Sequence, residues 1–121
     1  MLKLNWRRNL MEVLSHKRAE IADRELVMEG KDMRVQVLTL GKNDSIPWHY
    51  HSEITDSFVC LEGILVVDTK APTISYVLKA GDRCEVPPLV AHYVHGENMQ
   101  PAKFMILQGV GVYDNIPVGK Q

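Results

Sequence analysis

The sequence predicts an all-β domain, folded as an antiparallel sandwich or barrel. From Met33 onward, short segments rich in β-branched and aromatic residues recur at close spacing, and Gly, Pro, Asn and Asp separate them. The first of these segments alternates residue by residue, as a strand does when one of its faces is buried. Helical periodicity is marginal by comparison, so short strands account for most of the chain.

The predicted strands follow one another in chain order. RVQVLTL forms a strand that ends at Gly41, and KNDSIP after it has the composition of a turn. FVCLEGILVVD contains two apolar runs about a Glu-Gly dipeptide, which predicts a hairpin in which Gly63 supplies a positive φ. Four further segments complete the set: TISYVL, CEVPP, AHYVHG and AKFMILQGV. We therefore expect residues 31–121 to form one β-barrel domain.

The first 30 residues are less regular. NWRRNLMEVLSHKRAEI is compatible with a short helix or with an extended arm that packs on another strand, and both alternatives stay open. We expect residues 1–30 to pack as an N-terminal arm on the barrel or on a partner subunit. Its apolar side chains would make that contact: Trp6, Leu10, Met11 and Leu14.

The composition argues against several classes of protein. A hydrophobic content of 45% and a charged content of 24% are ordinary for a globular domain, and a formal net charge of −1 gives no basic field for nucleic acid or an anionic membrane. No apolar run is long enough to span a bilayer. Cys60 and Cys84 are too few for a disulfide framework. We expect a cytoplasmic protein with neither nucleic-acid nor membrane partners.

Two histidines two positions apart are the feature that most suggests chemistry. His49 and His51 point to the same side if this segment is extended, so that both imidazoles enter one space. Strict alternation would next add Glu53. A turn at 52–55 would instead reset the register and put Asp56 on the inward face of the next strand. Two carboxylates therefore compete to join the pair.

A third imidazole is available at His92, which shares parity with Val94 in the segment AHYVHG. Three imidazoles and one carboxylate on inward faces would bind a divalent transition metal and leave positions open for water or substrate. Composition alone does not bring His92 beside the first pair.

Two stretches, residues 41–63 and 81–96, together resemble the paired motifs of the cupins. The first motif runs glycine, a short gap, His-x-His, three or four residues, an acid, six residues and glycine; here these positions are Gly41, His49, His51, Asp56 and Gly63. The second motif runs glycine, five residues, proline and, further on, histidine; here these positions are Gly81, Pro87 and His92. The resemblance implies a jelly-roll barrel, or double-stranded β-helix. It also implies His49, His51, His92 and Asp56 as metal ligands, with Glu53 as the fallback carboxylate.

The chain departs from the motifs in one spacing and at three positions. The gap between Gly41 and His49 is longer than in the family, and a loop can absorb the difference. Asp56 stands where the family has a glutamate, which is one methylene longer, so its carboxylate would approach a metal differently. Leu89 and Gly96 stand where the family has glycine and asparagine. Those two positions shape the backbone, and metal ligation does not depend on them.

The resemblance implies a small metal-binding protein, for which two functions stay open. One is a metalloenzyme, a dioxygenase, isomerase or decarboxylase, that acts on a small substrate with a carboxylate, carbonyl or hydroxyl group by Lewis-acid or dioxygen chemistry. The alternative is a non-catalytic module that binds or senses a small ligand. The metal is a divalent transition ion, with zinc, iron, nickel and manganese as candidates.

Two further expectations concern the surroundings of the site. Arg34 and Gln36 share one face of their strand, opposite Val35 and Val37. They are either solvated, with the valines in the core, or they line the cavity as polar contacts; we expect the first arrangement. Because small cupin-like chains commonly pair, we expect a homodimer.

Overall fold

The structure is a computed structural model that describes residues 21–119. These residues form ten strands and one 3-10 helix, Glu97–Met99. The strands are β1 (Asp23–Glu29), β2 (Met33–Leu40), β3 (Ser45–Tyr50), β4 (Thr55–Gly63), β5 (Leu65–Thr69), β6 (Ile74–Leu78), β7 (Arg83–Val86), β8 (His92–Gly96), β9 (Ala102–Gly109) and β10 (Ile116–Pro117). The predicted all-β class is confirmed.

Two five-stranded antiparallel sheets face each other. The first has the strand order β1-β2-β9-β4-β7, and the second has the order β10-β3-β8-β5-β6. Alternate side chains of both sheets point inward and form one core, in which the rings of Phe58 and Phe104 are tilted to each other with 5.8 Å between their centroids. This is the jelly-roll arrangement that the sequence predicted.

The predicted hairpin at Gly63 is wrong. β4 pairs with β7 and β9, whereas β5 pairs with β6 and β8, so the chain turns a corner at Gly63 and passes from one sheet to the other. Gly63 does adopt a positive φ, of 73°. A positive φ at a Glu-Gly dipeptide serves a hairpin or a corner equally well, so the local sequence does not distinguish them.

Part of the predicted N-terminal arm lies in the first sheet. Residues 23–29 form β1, which pairs antiparallel with β2 along one edge. The remainder, which includes Trp6, Leu10, Met11 and Leu14, lies outside the described residues. Within residues 21–119, no helix has the length and apolar character needed to cross a membrane.

Candidate metal centre

The two sheets bring four predicted residues together at one end of the barrel. His49 in β3 lies directly opposite His92 in β8, and His51 follows immediately after β3. Asp56, the second residue of β4, reaches them from the other sheet. One ligand atom from each of these four buried side chains lies within 4.8 Å of the others. That they bind a metal is a prediction that this geometry makes testable.

The segment between β3 and β4 breaks the strict alternation of side chains. This is the alternative in which Asp56, and not Glu53, points inward. Residues 52–54 leave the extended conformation, and Asp56 then shares the inward face of β4 with Phe58 and Cys60. Glu53 is exposed, and its Oε1 accepts a hydrogen bond from the backbone of Val112 at 3.4 Å. Asp56 is therefore the carboxylate that meets the histidines, and Glu53 stands outside the cluster.

Backbone carbonyls fix the orientation of all three imidazoles. The Nδ1 of His49 donates to the carbonyl of Pro47 at 2.8 Å, and the Nδ1 of His92 donates to that of Val90 at 2.9 Å. The Nδ1 of His51 donates to the carbonyl of Asp114. Because a carbonyl can only accept, each Nδ1 carries the hydrogen, and each neutral ring presents the lone pair of its Nε2.

The lone pairs of two of these rings meet one carboxylate oxygen. The Nε2 atoms of His51 and His92 lie 2.9 and 2.8 Å from Oδ2 of Asp56. Three electron-rich atoms at this spacing repel one another unless a cation, either a proton or a metal ion, lies among them. Two ligands at right angles, each about 2.1 Å from one ion, would lie about 3 Å apart. The donor set therefore fits a transition metal ion.

The electrostatics of the cluster favour a shared cation. Burial opposes charge on Asp56, but the adjacent imidazoles of His51 and His92 outweigh burial and hold the pKa of its carboxyl well below the usual range. Burial likewise opposes charge on His51, but the charge of Asp56 and the hydrogen bond with it prevail and raise the pKa of His51. Burial, with the charges of the two neighbouring imidazoles, lowers the pKa of His49 to about 3. His49 is therefore a neutral donor at neutral pH.

The cupin-domain family matches residues 36–110 of this chain, a span that contains all four residues of the cluster and more than half of the sequence. The chain belongs to the cupin family. No curated protein matches.

Solved structures agree with this assignment at the level of the fold. A conserved protein with a double-stranded β-helix domain from Klebsiella pneumoniae is 24% identical, with a TM-score of 0.70 over 84% of this chain and 86% of that one. An RmlC-like cupin protein from Desulfovibrio desulfuricans is 20% identical, with a TM-score of 0.62 over 74% and 83%. An oxalate decarboxylase from Lactobacillus farciminis is 12% identical, with a TM-score of 0.67 over 85% of this chain but 34% of that one.

In this cupin a row of hydrogen bonds across the first sheet holds Asp56. Arg34, Gln108 and Asp56 lie opposite one another on β2, β9 and β4. The Nη2 of Arg34 donates to Oε1 of Gln108 at 3.1 Å, and the Nε2 of Gln108 donates to Oδ1 of Asp56 at 3.0 Å. The two oxygens of Asp56 thus have different partners, since Oδ1 faces the amide and Oδ2 faces the imidazoles.

A segment near the C-terminus supports His51 from the other side. Asp114 accepts hydrogen bonds from both the backbone and the hydroxyl of Ser52, at 2.8 Å for the backbone amide, while its own carbonyl accepts from His51. The ring of Tyr113 lies 5.3 Å from that of His51 and 4.4 Å beneath the guanidinium of Arg34. Asp114 and Tyr113 were not predicted from the sequence, because no local pattern shows that a segment 62 residues away returns to Ser52.

A cavity of about 80 Å³ adjoins the cluster inside the barrel. Much of its wall is apolar: Leu38, Ile46, Phe58, Val94 and Ile106. The polar side chains that line it include Arg24, Gln36, His49, Asp56, Gln108 and Asn115, and Trp48 and Tyr113 also line it. A small ligand in this space would contact the candidate metal centre on the side of His49 and Asp56.

The expected solvation of Arg34 and Gln36 is wrong. Gln36 is 1% exposed, lines the cavity, and accepts a hydrogen bond at Oε1 from Nη1 of Arg24 at 3.1 Å. Arg34 lies on the same inward face, bonded to Gln108. The prediction failed because it assumed that valines fill the interior before glutamine, whereas a barrel that leaves a cavity in its interior can also line that cavity with polar side chains.

Proposed function

We propose that this cupin binds one divalent transition metal ion through Nε2 of His49, His51 and His92 and through Oδ2 of Asp56. With that ion it would bind and transform a small oxygen-bearing substrate in the adjoining cavity. The observation that carries the proposal is the position of three Nε2 lone pairs beside one buried carboxylate. Each of the three rings is oriented by a hydrogen bond from its Nδ1 to a backbone carbonyl. Zinc, iron, nickel and manganese all accept such a donor set, in which imidazoles outnumber carboxylates.

Different residues of the chain would have different roles at the metal-loaded site. A bound ion supplies Lewis-acid polarisation of a substrate oxygen or, if it is iron, dioxygen chemistry. The bond from Gln108 keeps Oδ2 of Asp56 toward the imidazoles. The apolar wall, of which Phe58 and Ile106 are part, limits water around a bound substrate. Oxalate oxidase and oxalate decarboxylase share this fold, at 16% and 12% identity, and the chain spans 46% and 34% of their lengths. An oxidation or a decarboxylation is therefore compatible with the barrel.

A non-catalytic binding or sensing module is the second candidate. One observation favours it: among the described residues that line the cavity, the ionisable side chains besides His49 and Asp56 are Arg24 and Tyr113. Neither has an ordinary pKa near neutrality, so neither is suited to general acid–base catalysis at pH 7. Binding of a small molecule without turnover, in the metal-loaded protein, would favour this module over the enzyme.

Metal content tests the proposal directly. We expect the protein purified with each candidate metal to hold about one ion per chain by inductively coupled plasma mass spectrometry, and we expect His49→Ala and His92→Ala to lose most of it. The matched control is His95→Ala. His95 lies on the same strand as His92 but points outward and bonds to Asp68 at 2.9 Å, so its removal should leave the metal content unchanged. Wild-type protein that holds no stoichiometric metal would contradict the proposal.

A further inference from the structure

One segment of the chain crosses from the first sheet to the second beside the candidate metal centre. β9 of the first sheet ends at Gly109, and β10, which begins at Ile116, pairs with β3 of the second sheet. Residues 110–115, which we call the crossing segment, connect these two strands. Near its start the amide of Gly111 donates to the carbonyl of Asp32, in the turn between β1 and β2, at 2.9 Å. The crossing segment therefore joins the two sheets at this point.

Hydrogen bonds, more than apolar packing, hold the outer part of the crossing segment. Val110 and Val112 are 75% and 67% exposed, so their side chains contribute little buried area. The carboxylate of Asp114 instead accepts two hydrogen bonds from Ser52, one from the backbone amide at 2.8 Å and one from the hydroxyl. A charged acceptor makes stronger hydrogen bonds than a neutral one. The contact between Asp114 and Ser52 is therefore a main attachment of this segment.

The same residue orients one of the proposed metal ligands. The backbone carbonyl of Asp114 accepts the hydrogen bond from Nδ1 of His51, and Nε2 of that ring then faces Asp56. The carbonyls that orient the other two imidazoles lie two residues from their own histidines, whereas Asp114 lies 63 residues from His51. The orientation of His51 therefore depends on a distant segment that must stay in place.

The crossing segment and the residues after it also form part of the cavity wall. Tyr113 and Asn115 line the cavity, and so do Pro117 and Gly119. The carbonyl that holds His51 thus belongs to the same short stretch of backbone as this part of the wall. If the bonds between Asp114 and Ser52 break, the wall and the support of His51 are released together. The orientation of His51 and the closure of this side of the cavity are therefore coupled.

We propose that Asp114 is a positioning residue for the metal centre, and that metal binding and closure of the cavity by the crossing segment are thermodynamically linked. Ser52 holds the side chain of Asp114, and the carbonyl of Asp114 holds the ring of His51. Linkage is reciprocal, so a crossing segment that is in place strengthens metal binding, and bound metal stabilises the segment in place by the same factor. This inference rests on the proposed function, because it takes His51 to be a metal ligand.

Zinc affinity of the full chain, measured by competition with a chromophoric chelator, tests the link to the metal. We expect Asp114→Ala to weaken zinc binding by roughly tenfold, as residues that orient a metal ligand do. Asp114→Asn removes the same negative charge but keeps an oxygen that accepts from Ser52, so it should retain most of the affinity. The matched control is Glu53→Ala, which removes a longer contact of the same segment, from the amide of Val112 to Oε1 of Glu53 at 3.4 Å. It should leave zinc affinity unchanged.

Hydrogen exchange of the same variants, measured by mass spectrometry, tests the attachment of the segment. In metal-free protein we expect Asp114→Ala to accelerate exchange in the peptide that covers residues 110–119 more than in peptides from β4 and β9. A general loss of stability would instead accelerate exchange across the whole barrel. In the wild type, zinc should slow exchange in residues 110–119, and it should slow it less in Asp114→Ala.

Each contrary result has its own meaning. Equal loss of zinc affinity in Asp114→Ala and Asp114→Asn would assign the effect to charge and overturn the positioning role. Faster exchange of the crossing segment in Asp114→Ala with unchanged zinc affinity would overturn the linkage and leave the metal centre standing. Absence of zinc from the wild-type protein would instead contradict the proposed function, and exchange in the metal-free variants would still decide whether Asp114 holds the segment.

Discussion

The carboxylate of Asp56 has two oxygens in different surroundings, and Gln108 accounts for the difference. The amide of Gln108 donates to Oδ1, so Oδ2 is the oxygen left to face His51 and His92. Gln108 is itself fixed by Arg34 and is 8% exposed. A buried hydrogen bond of this kind orients a metal ligand and adjusts its basicity.

We expect Gln108→Leu to weaken metal binding by roughly ten- to a hundredfold, because the substitution keeps the bulk of the side chain and removes the bond to Oδ1. Competition with a chromophoric chelator measures the change. The matched control is Gln36→Leu, the same substitution at a buried glutamine that bonds to Arg24 rather than to Asp56. An equal loss of metal affinity in both variants would show a general effect on the barrel and contradict a role for Gln108 in orienting Asp56.

Acid should destabilise the metal-free protein through His49. Its pKa falls from an ordinary 6.5 to about 3 on folding, so the unfolded chain binds this proton first. The contribution of His49 to stability is therefore complete above pH 6.5 and is lost as the pH falls from 6.5 toward 3. His51, whose pKa is raised, contributes with the opposite sign, and its contribution is lost as the pH rises above 6.5.

Urea denaturation in the presence of a chelator measures this dependence. Between pH 6 and pH 5 the His49 contribution approaches about 1 kcal/mol per pH unit, the slope of a single proton. His49→Gln, which cannot titrate, should show a shallower fall in the free energy of unfolding over the same range. The same slope in the variant and in the wild type would contradict the assignment to His49.

At the scale of elements, the corner between β4 and β5 depends on Gly63. Its φ of +73° is unfavourable for any residue with a Cβ, and an added Cβ would lie 2.5 Å from the carbonyl oxygen of Pro101. We expect Gly63→Ala to lower the free energy of unfolding by about 1 kcal/mol or more, because the left-handed conformation and the backbone clash add together.

Gly30→Ala is the matched control for the corner. There the nearest atom to an added Cβ, outside the adjacent residues, is Cγ of Met33 at an ordinary 3.8 Å. We expect a change within about 0.5 kcal/mol, measured by the same urea titration. Equal destabilisation by the two substitutions would show that the corner places no special demand on Gly63.

Most of the strands could be predicted from the sequence, because each depends on local alternation and on the turn residues beside it. β2 falls where RVQVLTL predicted it, and β4 presents Asp56, Phe58 and Cys60 to the interior as parity required. What local pattern could not show is the partner of each strand. The two apolar runs on either side of Gly63 therefore predicted a hairpin, although the strands that they form belong to opposite sheets.

For the molecule as a whole, the cluster of four residues could be predicted from the sequence. The hydrogen bonds that orient those four side chains could not. The spacing of His49, His51, Asp56 and His92 matches two motifs in order, which is a signal along the chain. The bonds of Gln108 to Asp56 and of Asp114 to His51 join residues 52 and 63 positions apart. One signal did exist for Gln108, since it shares the inward parity of Phe104 and Ile106 in AKFMILQGV. A polar residue on an inward face needs a buried partner.

Two predictions about the whole molecule stay predictions. The first is that two copies of the chain form a homodimer, and the second is that the protein is cytoplasmic. The structure describes a single chain, so both stay predictions. The apolar side chains of the N-terminal segment through which a partner was expected to pack, Trp6 and Leu10 among them, lie outside the described residues.

The central claim is that one metal ion lies where the two sheets meet, and anomalous diffraction from crystals of the metal-loaded protein tests it most directly. Data collected on both sides of the absorption edge of the loaded metal should give one strong peak per chain, in contact with Nε2 of His49, His51 and His92 and with Oδ2 of Asp56. A map without that peak, or with its only peak elsewhere on the molecule, would contradict the account.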